Sequence, residues 1–250
     1  MSAGFGSNFG QRIDLAVRIR EILRNYPEGT SIVKELIQNA DDAGARRVSV
    51  CLDERQHGTA SCASEAAAAL QGPSLLCHND ALFLKEDFES IQRLGDSAKK
   101  GDAKKTGRFG IGFNSVYHVS EVPSFASGTK VVWFDPQCRY LPDVDPTNPG
   151  KMVDLAETDV FSSHADMFAG FEGAFGWRAA GGAYRGTLFR LPLRTPEQAA
   201  TSRLSDRSRG AASFLFFACG RSAIHLGTTR RHSRRSSETS RRSRRTCSSS

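Results

Sequence analysis

Residues 35–43 read E-L-I-Q-N-A-D-D-A, and residues 106–117 read T-G-R-F-G-I-G-F-N-S-V-Y. If the first stretch is a helix, Glu35, Asn39 and Asp42 lie within roughly 60° of one another around its axis. The second stretch is a glycine-rich loop that opens into another predicted helix. Side-chain oxygens suit a hard cation such as Mg²⁺, and the free N–H groups of a helix N-terminus suit phosphate groups. The two stretches together therefore predict a site for a Mg²⁺–nucleotide.

Each stretch has a simpler interpretation when it is taken alone. A polar stripe that contains Glu35 is typical of an amphipathic helix whose polar face meets water. The G-x-x-G-x-G spacing of Gly107, Gly110 and Gly112 is also typical of a tight turn, because glycine tolerates positive φ. The nucleotide hypothesis depends on finding both stretches in one chain and in this order.

The surrounding sequence alternates between helical and extended patterns. Apolar residues at helical spacing indicate a helix over residues 11–26, which Pro27 would end. Thr30 or Ser31 can cap the next helix, which runs to about Ala43. The polar, lysine-rich residues 95–106 are typical of a mobile lid. The other predicted elements are a short helix within 57–73, a helical turn over 87–94, a loop over 135–150, and strands over 48–52, 74–77, 130–134 and 186–193.

The composition fits one sizeable core followed by a tail. The chain has 250 residues, 39% of them hydrophobic, and no apolar run reaches the ~18 residues of a membrane span. The six cysteines show no C-x-x-C pairing, which argues against a zinc site or a disulfide framework. The first ten residues lack the pattern of a secretory signal. We therefore expect a reducing, cytoplasmic location and no membrane partner.

The positive net charge belongs to the C-terminal segment. Residues 201–250 contain twelve Arg against Asp206 and Glu238, so they supply +10, and residues 1–200 carry −3 of the net +7. We divide the chain into a folded domain, 1–204, and an Arg/Ser-rich tail, 205–250, which we expect to be disordered from about residue 228. The tail could contact RNA or acidic partners, serve as a phosphorylated linker, or reflect a premature or misread gene end.

The two stretches resemble motifs of the superfamily that contains gyrase, the ninety-kilodalton heat-shock chaperones, histidine kinases and MutL. Residues 35–43 are similar to its E-x-x-x-N-x-x-D-A helix and residues 107–113 to its G-x-x-G-x-G lid hinge. Gly186 and Thr187 are similar to its late Gly-Thr strand. The strings K-E-L-I-Q-N-A-D-D-A-G-A and G-R-F-G-I-G-F-N-S-V-Y-H most resemble the Sacsin/Nov-type domains of the sacsin N-terminal repeat, over about residues 9–195.

This resemblance implies a fold and a set of roles. The implied fold is α/β, a two-layer α/β sandwich of the Bergerat ATP-binding type, with a mixed sheet, helices on one face and a flexible lid. ATP and Mg²⁺ are the implied cofactors. Glu35 would be the general base that activates water, and Asn39 would be the Mg²⁺ ligand. The further implied nucleotide contacts are Asp42, Ala43, Asn79, Asp80, Gly107, Phe109, Gly110, Ile111, Gly112, Phe113 and Thr187.

One motif departs from the superfamily pattern. Where D-x-G-x-G is expected, residues 79–83 read N-D-A-L-F. Asn79 can still accept a hydrogen bond from the adenine amine, although without a charge that bond would be weaker by ~1 kcal/mol. Ala81 and Phe83 replace both glycines, and the bulky Phe83 would narrow the base pocket. The loop is therefore either the altered adenine loop of Sacsin-type domains or a structural loop that no longer binds adenine.

The lid region carries Lys99, Lys100, Lys104 and Lys105, which are either ligands of the γ-phosphate or solvated side chains. Chaperones of this superfamily also take a cation from a following domain to stabilise the transition state. We expect no such domain after residue 200, so hydrolysis by this chain alone would be slow or absent.

The leading hypothesis is an ATP-binding, chaperone-type module with weak Mg²⁺-dependent ATP hydrolysis. Nucleotide would order a lid over residues 95–112 and so control the binding of client or co-chaperone proteins. The alternative is a non-catalytic protein-interaction module on the same fold, which the altered residues 79–83 favour and Glu35 disfavours. Nucleic-acid contact is expected only through the tail. Histidine kinase, topoisomerase and mismatch-repair activities need further elements that the sequence does not show.

Overall fold

A seven-stranded sheet lies at the centre of the molecule. The computed structural model describes residues 13–25, 31–92, 111–205 and 224–227. The strands are β1 Arg47–Asp53, β2 Ser74–Asn79, β3 Ser124–Gly128, β4 Lys130–Phe134, β5 Gly150–Asp154, β6 Tyr184–Pro192 and β7 Ile224–Gly227. Their order across the sheet is β5-β4-β3-β6-β2-β1-β7. The four strands predicted from the sequence are confirmed as β1, β2, β4 and β6.

Helical segments surround this sheet. The α-helices are α1 Leu15–Asn25, α2 Ser31–Asp42, α3 Lys85–Ile91, α4 Val160–Ser163, α5 Asp166–Ala169 and α6 Pro196–Thr201. The 3₁₀ helices are Ala66–Leu70, Ile111–His118, Ala174–Gly176 and Ala179–Gly181. Both long predicted helices are confirmed as α1 and α2. In the described part of the chain, no helix has the length and apolar character to cross a membrane.

All strand pairs of the sheet are antiparallel. The prediction of a mixed sheet with parallel pairs is therefore wrong. Parallel neighbours need long crossover connections, whereas β3, β4 and β5 follow one another as antiparallel neighbours without an intervening helix. The chain is α/β in content, and its sheet is antiparallel throughout the pairs that the structure describes.

Both faces of the sheet are buried, because successive side chains of a strand point to opposite faces. On β2, Leu75 and Cys77 pack in one core with α1, α2 and the 3₁₀ helix Ile111–His118, whereas Leu76 packs in a second core. The second core also contains Phe168 of α5 and the Ala66–Leu70 helix. The predicted two-layer arrangement with helices on one face is therefore wrong, since short helices and loops form a third layer.

The helix after the glycine motif is a 3₁₀ helix, Ile111–His118. Its C-terminal end is held by Arg194, which follows β6. Arg194 donates to the carbonyl oxygens of Tyr117 and His118 at 2.7 and 2.9 Å, and it forms a fully buried ion pair with Glu121. The last carbonyl groups of a helix have no amide partner within it, and here the Arg194 side chain supplies the donor for two of them.

One element lies inside the predicted tail. Ile224–Gly227 forms β7 and pairs with β1, with His225 opposite Ser49. The remaining residues from 206 to 223 and from 228 to 250 lie outside the described residues. The predicted boundary at residue 204 therefore stays a prediction, and the sheet takes up four residues beyond it.

Candidate functional site

Helix α2 and the residue that follows it carry three of the predicted site residues on one side. Glu35 and Asn39 lie one turn apart on α2, and Ala43 comes one turn later, with its N–H donating to the Asn39 carbonyl at 3.0 Å. Glu35 is half-buried and its carboxylate lies against Gly112, where a β-carbon would overlap the carboxylate oxygens. The absence of a side chain at Gly112 therefore allows α2 and the N-terminal end of the 3₁₀ helix Ile111–His118 to approach each other at Glu35.

Asn39 is buried and has no hydrogen-bond partner. The residue is 3% exposed, and neither its amide nitrogen nor its amide oxygen contacts a donor or acceptor within the structure described. Buried polar side chains normally have partners, since leaving one unpaired costs about 1–3 kcal/mol. Other buried side chains among the described residues leave one polar atom unpaired, whereas Asn39 leaves both, so its amide is available to a polar ligand.

A small cavity lies beside Asn39, between α2, the end of β2 and β6. Its volume is about 10 Å³, which is room for about one water molecule. A purine base is many times larger. The cavity is lined by Asn39, Ala40, Ala43, Asn79, Ala81, Leu82, Phe83, Asp87, Thr187 and Phe189.

The loop after β2 closes the far side of this cavity. Asn79 is 5% exposed, and its side-chain oxygen accepts a hydrogen bond from the Ala81 N–H at 3.0 Å. This bond is an Asx turn, the local motif that Asn commonly forms in loops. The side-chain oxygen of Asn79 is therefore engaged within its own loop.

Thr187 of β6 fixes the same loop from the opposite strand. Its hydroxyl donates to the Ala81 carbonyl at 2.8 Å and lies 2.9 Å from the Ser127 hydroxyl. Ser127 in turn accepts a hydrogen bond from the Phe83 N–H at 3.0 Å. Gly186 is needed beside Thr187, because a β-carbon there would lie 2.5 Å from the Asn79 carbonyl oxygen. These bonds hold residues 79–83 firmly against β3 and β6.

Phe83, the residue that replaces the second glycine of the expected motif, points into an aromatic cluster. Its ring centroid lies 4.6 Å from that of Phe125, 5.3 Å from Phe88 and 6.2 Å from Phe189. Such pairs add about 0.5–1.5 kcal/mol each beyond the buried area. Phe83 thus packs against the first core and also forms part of the cavity wall.

The structure gives several predicted site residues other surroundings. Asp42 and Asp80 are exposed and do not line the cavity, and Phe113 is a core residue at 5% exposure. Ile111 and Gly112 begin the 3₁₀ helix. The predicted residues Gly107, Phe109 and Gly110 lie outside the described residues, as do Lys99, Lys100, Lys104 and Lys105 and most of the predicted lid.

Asp80 has a clear structural contact instead. Its carboxylate accepts hydrogen bonds from the backbone N–H groups of Arg46 and Arg47, at 2.7 and 3.0 Å. Burial opposes ionisation, but these two donors outweigh it and lower the pKa of Asp80. Asp80 therefore stabilises the turn between α2 and β1, and its charge points away from the cavity.

Three residues at the site were not identified from the sequence. Ser127 lies on β3, a strand that was not predicted, and it carries no motif. Phe189 belongs to the predicted β6 and lines the cavity. Asp87 is 2% exposed and accepts a hydrogen bond from the Leu84 N–H at 2.9 Å. An Asp in the first turn of a predicted helix was the available signal for this cap.

The two ends of the site fit a Mg²⁺–nucleotide unequally. Around Asn39 and Glu35, an unpaired amide and a carboxylate offer oxygen donors of the kind that Mg²⁺ uses, usually one or two from the protein. Among the described residues, no group of three or more His, Cys, Asp or Glu side chains forms a metal cluster. Around Asn79 and Thr187, the polar groups are paired and the space is too small for a base.

The four described cysteines are Cys51, Cys62, Cys77 and Cys138, and all are free. Burial raises the pKa of the Cys77 thiol to about 12. A thiol with such a pKa is protonated at neutral pH, so Cys77 is a core residue and not a nucleophile.

Comparison with known proteins agrees with the resemblance of the motifs. The Sacsin domain family matches residues 12–216, past the predicted end of the folded domain at residue 204. Sacsin of Homo sapiens is 42% identical over 209 residues, which cover 82% of this chain and 4% of that protein. Protein NO VEIN of Arabidopsis thaliana is 28% identical over 102 residues, covering 41% of this chain and 3% of that protein. The chain spans a small part of the length of these relatives.

Proposed function

The chain belongs to the Sacsin domain family, and we propose that it is a nucleotide-binding module that takes Mg²⁺ and ATP beside α2. The observation that carries this proposal is Asn39, a buried amide whose two polar atoms have no partner. The contact of the Glu35 carboxylate with Gly112 supports it, because it brings an acid to the glycine motif. The resemblance to the heat-shock ATPases supports the same assignment.

We call Glu35, Asn39 and Gly112 the polar end of the site, and each has a chemical role in this proposal. Mg²⁺, when bound, would neutralise phosphate charge and polarise a phosphoryl oxygen. Asn39 would hold the cation through its side-chain oxygen. Glu35 would orient a water molecule and accept its proton. Gly112 would leave the carboxylate unobstructed and offer its backbone N–H at the start of the 3₁₀ helix.

Hydrolysis in this proposal is slow. Among the described residues, Glu35 is the acidic side chain that contacts the glycine motif, at Gly112. No described Lys or Arg side chain lines the cavity. Stabilising the charge of phosphoryl transfer needs such a cation. We propose that nucleotide orders the lid over residues 95–112 and thereby controls the binding of client or co-chaperone proteins in the cytoplasm.

The second candidate is a non-catalytic protein-interaction module on the same fold. The paired groups of residues 79–83 favour it, because Asn79 and Thr187 already have partners within the protein. Glu35 and Asn39 oppose it, since a module that binds no ligand gains nothing from an unpaired buried amide.

The deciding experiment is calorimetric titration of the full chain with ATP in the presence of Mg²⁺. Binding in the micromolar to low-millimolar range is expected, with loss of more than tenfold in affinity for Asn39→Ala. Asn148→Ala, at an exposed loop position, is the matched control and should bind as the wild type does. A folded wild-type chain that binds no nucleotide would leave the interaction module as the function.

A hydrolysis assay then separates binding from catalysis. Glu35→Gln keeps the size of the side chain and removes its basic carboxylate, so nucleotide should still bind while phosphate release falls at least tenfold. Equal phosphate release by Glu35→Gln and the wild type would show that Glu35 is not the general base.

A further inference from the structure

We propose that the site recognises the Mg²⁺–triphosphate part of a nucleotide and discriminates weakly between bases. This inference rests on the proposed function and concerns the same site. It follows from the difference between the polar end, at Glu35, Asn39 and Gly112, and the base end, at residues 79–83 and Thr187.

The hydrogen-bonding groups of the base end are engaged with one another. The Asn79 side-chain oxygen accepts from the Ala81 N–H, and the Thr187 hydroxyl donates to the Ala81 carbonyl. The Ser127 hydroxyl bonds both Thr187 and the Phe83 N–H. Strong selection between ligands comes from buried groups that the wrong ligand leaves unpaired. Among the described residues, none of the buried side-chain atoms that lack a partner belongs to Asn79, Thr187 or Ser127, so this end gives little selection of that kind.

Space at the base end is also restricted. Phe83 occupies the wall of a cavity of about 10 Å³, with its ring centroid 4.6 Å from Phe125 and 5.3 Å from Phe88. Moving the ring away would break these aromatic contacts. A base bound near this wall would therefore lie against apolar side chains at the surface, a contact that every base can make.

The polar end does not depend on the base. Asn39 is 3% exposed and unpaired, so a cation or phosphate oxygen would satisfy it whatever base is attached. The Glu35 carboxylate meets Gly112 on the side of the helix N-terminus. The free energy of binding is therefore concentrated where all nucleoside triphosphates are alike.

The test is calorimetry on the full chain with Mg²⁺ and, in turn, ATP, GTP, CTP and inorganic tripolyphosphate. We expect dissociation constants within about fivefold of one another, with all four ligands lost in Asn39→Ala. ATP that binds at least tenfold tighter than GTP and tripolyphosphate would overturn this inference and leave the proposed function standing. Failure of all four to bind would remove the proposed function, and the inference with it.

A pair of variants tests the role of Phe83 in particular. Phe83→Ala should raise the affinity for ATP relative to tripolyphosphate by about tenfold, because it opens the base end. Phe88→Ala removes a ring of the same cluster that does not line the cavity, and it should leave this ratio unchanged. Equal ratios in the two variants would overturn the role given to Phe83. If Phe83→Ala does not fold, the wild-type ratios decide.

Discussion

The two ends of the candidate site differ in how their polar groups are satisfied. At the α2 end, Asn39 is buried without a partner, and Glu35 is pressed against Gly112. At the opposite end, Asn79 and Thr187 form hydrogen bonds with Ala81, and the cavity that they share with Asn39 has a volume of about 10 Å³. A protein keeps an unpaired buried amide at a free-energy cost, so the comparison indicates which end is shaped for a ligand and which for the fold.

The largest expected effect concerns the ion pair that holds the glycine-motif helix. Glu121→Ala leaves the Arg194 guanidinium buried without its carboxylate, and it should lower the free energy of unfolding by about 3–5 kcal/mol. Nucleotide affinity should fall with it, because Arg194, which binds the C-terminal end of the Ile111–His118 helix, is no longer held by Glu121. Urea unfolding and calorimetry would measure the two effects.

The control for this variant is Arg178→Ala, which removes the partner of Glu172 in an exposed pair and leaves the hydrogen bond from the Ala179 N–H to Glu172 in place. Exposed pairs contribute about 0–1 kcal/mol, so stability and binding should both stay near the wild-type values. A Glu121→Ala protein as stable as Arg178→Ala would mean that the buried pair does not hold the polar end of the site.

The next largest effect is expected at Asn39, where a substitution should raise stability and abolish nucleotide binding. Asn39→Leu replaces an unpaired amide with an apolar side chain of similar shape and should raise the free energy of unfolding by about 1 kcal/mol, while nucleotide binding is lost. Asn79→Leu should do the reverse and lower stability by about 1–2 kcal/mol, because the Ala81 N–H loses its partner. Denaturant unfolding would measure the stability of both variants. If Asn39→Leu proved less stable than Asn79→Leu, the comparison between the two ends of the site would be reversed.

A smaller effect, on the pH dependence of stability, is expected on the other face of the sheet. Burial, aided by the nearby Arg190 charge, lowers the pKa of His57 below its ordinary value of 6.5. The unfolded chain therefore binds the proton more tightly, and stability should fall as pH drops below 6.5. His57→Gln should flatten this dependence, and nucleotide affinity should not change, since His57 does not line the cavity.

The smallest effect lies at the edge strand β5. A hydrogen bond from the Lys130 ammonium lowers the pKa of Asp154 from 3.8 to about 2. This contribution is present above pH 3.8 and is lost as pH falls through about 2. Lys130→Met should therefore remove under ~1 kcal/mol near neutral pH, because the pair is partly screened by solvent. Lys130→Met should leave nucleotide affinity unchanged, because Lys130 does not line the cavity. A change in affinity would contradict the set of residues assigned to the site.

Much of the polar end could be predicted because it is local. Glu35 and Asn39 belong to one helix, whose periodicity alone puts them on one side, and Ala43 directly follows that helix. The base end could not be predicted in the same way. Its bonds join residues far apart in the chain, such as Phe83 to Ser127 at 44 residues and Ala81 to Thr187 at 106 residues. Ser127 lies on a strand that no sequence pattern indicated.

The sequence by itself determined the family, the two long helices, four strands and the alignment of Glu35 with Asn39, because these depend on periodicity and on motifs. Only the tertiary structure decided that the sheet is antiparallel, that both of its faces are buried, and that Asn39 lacks a partner while Asn79 has one. Each of these depends on which distant segments pack together. Whether a buried polar group is paired is a property of its neighbours in space, and a local pattern does not encode it.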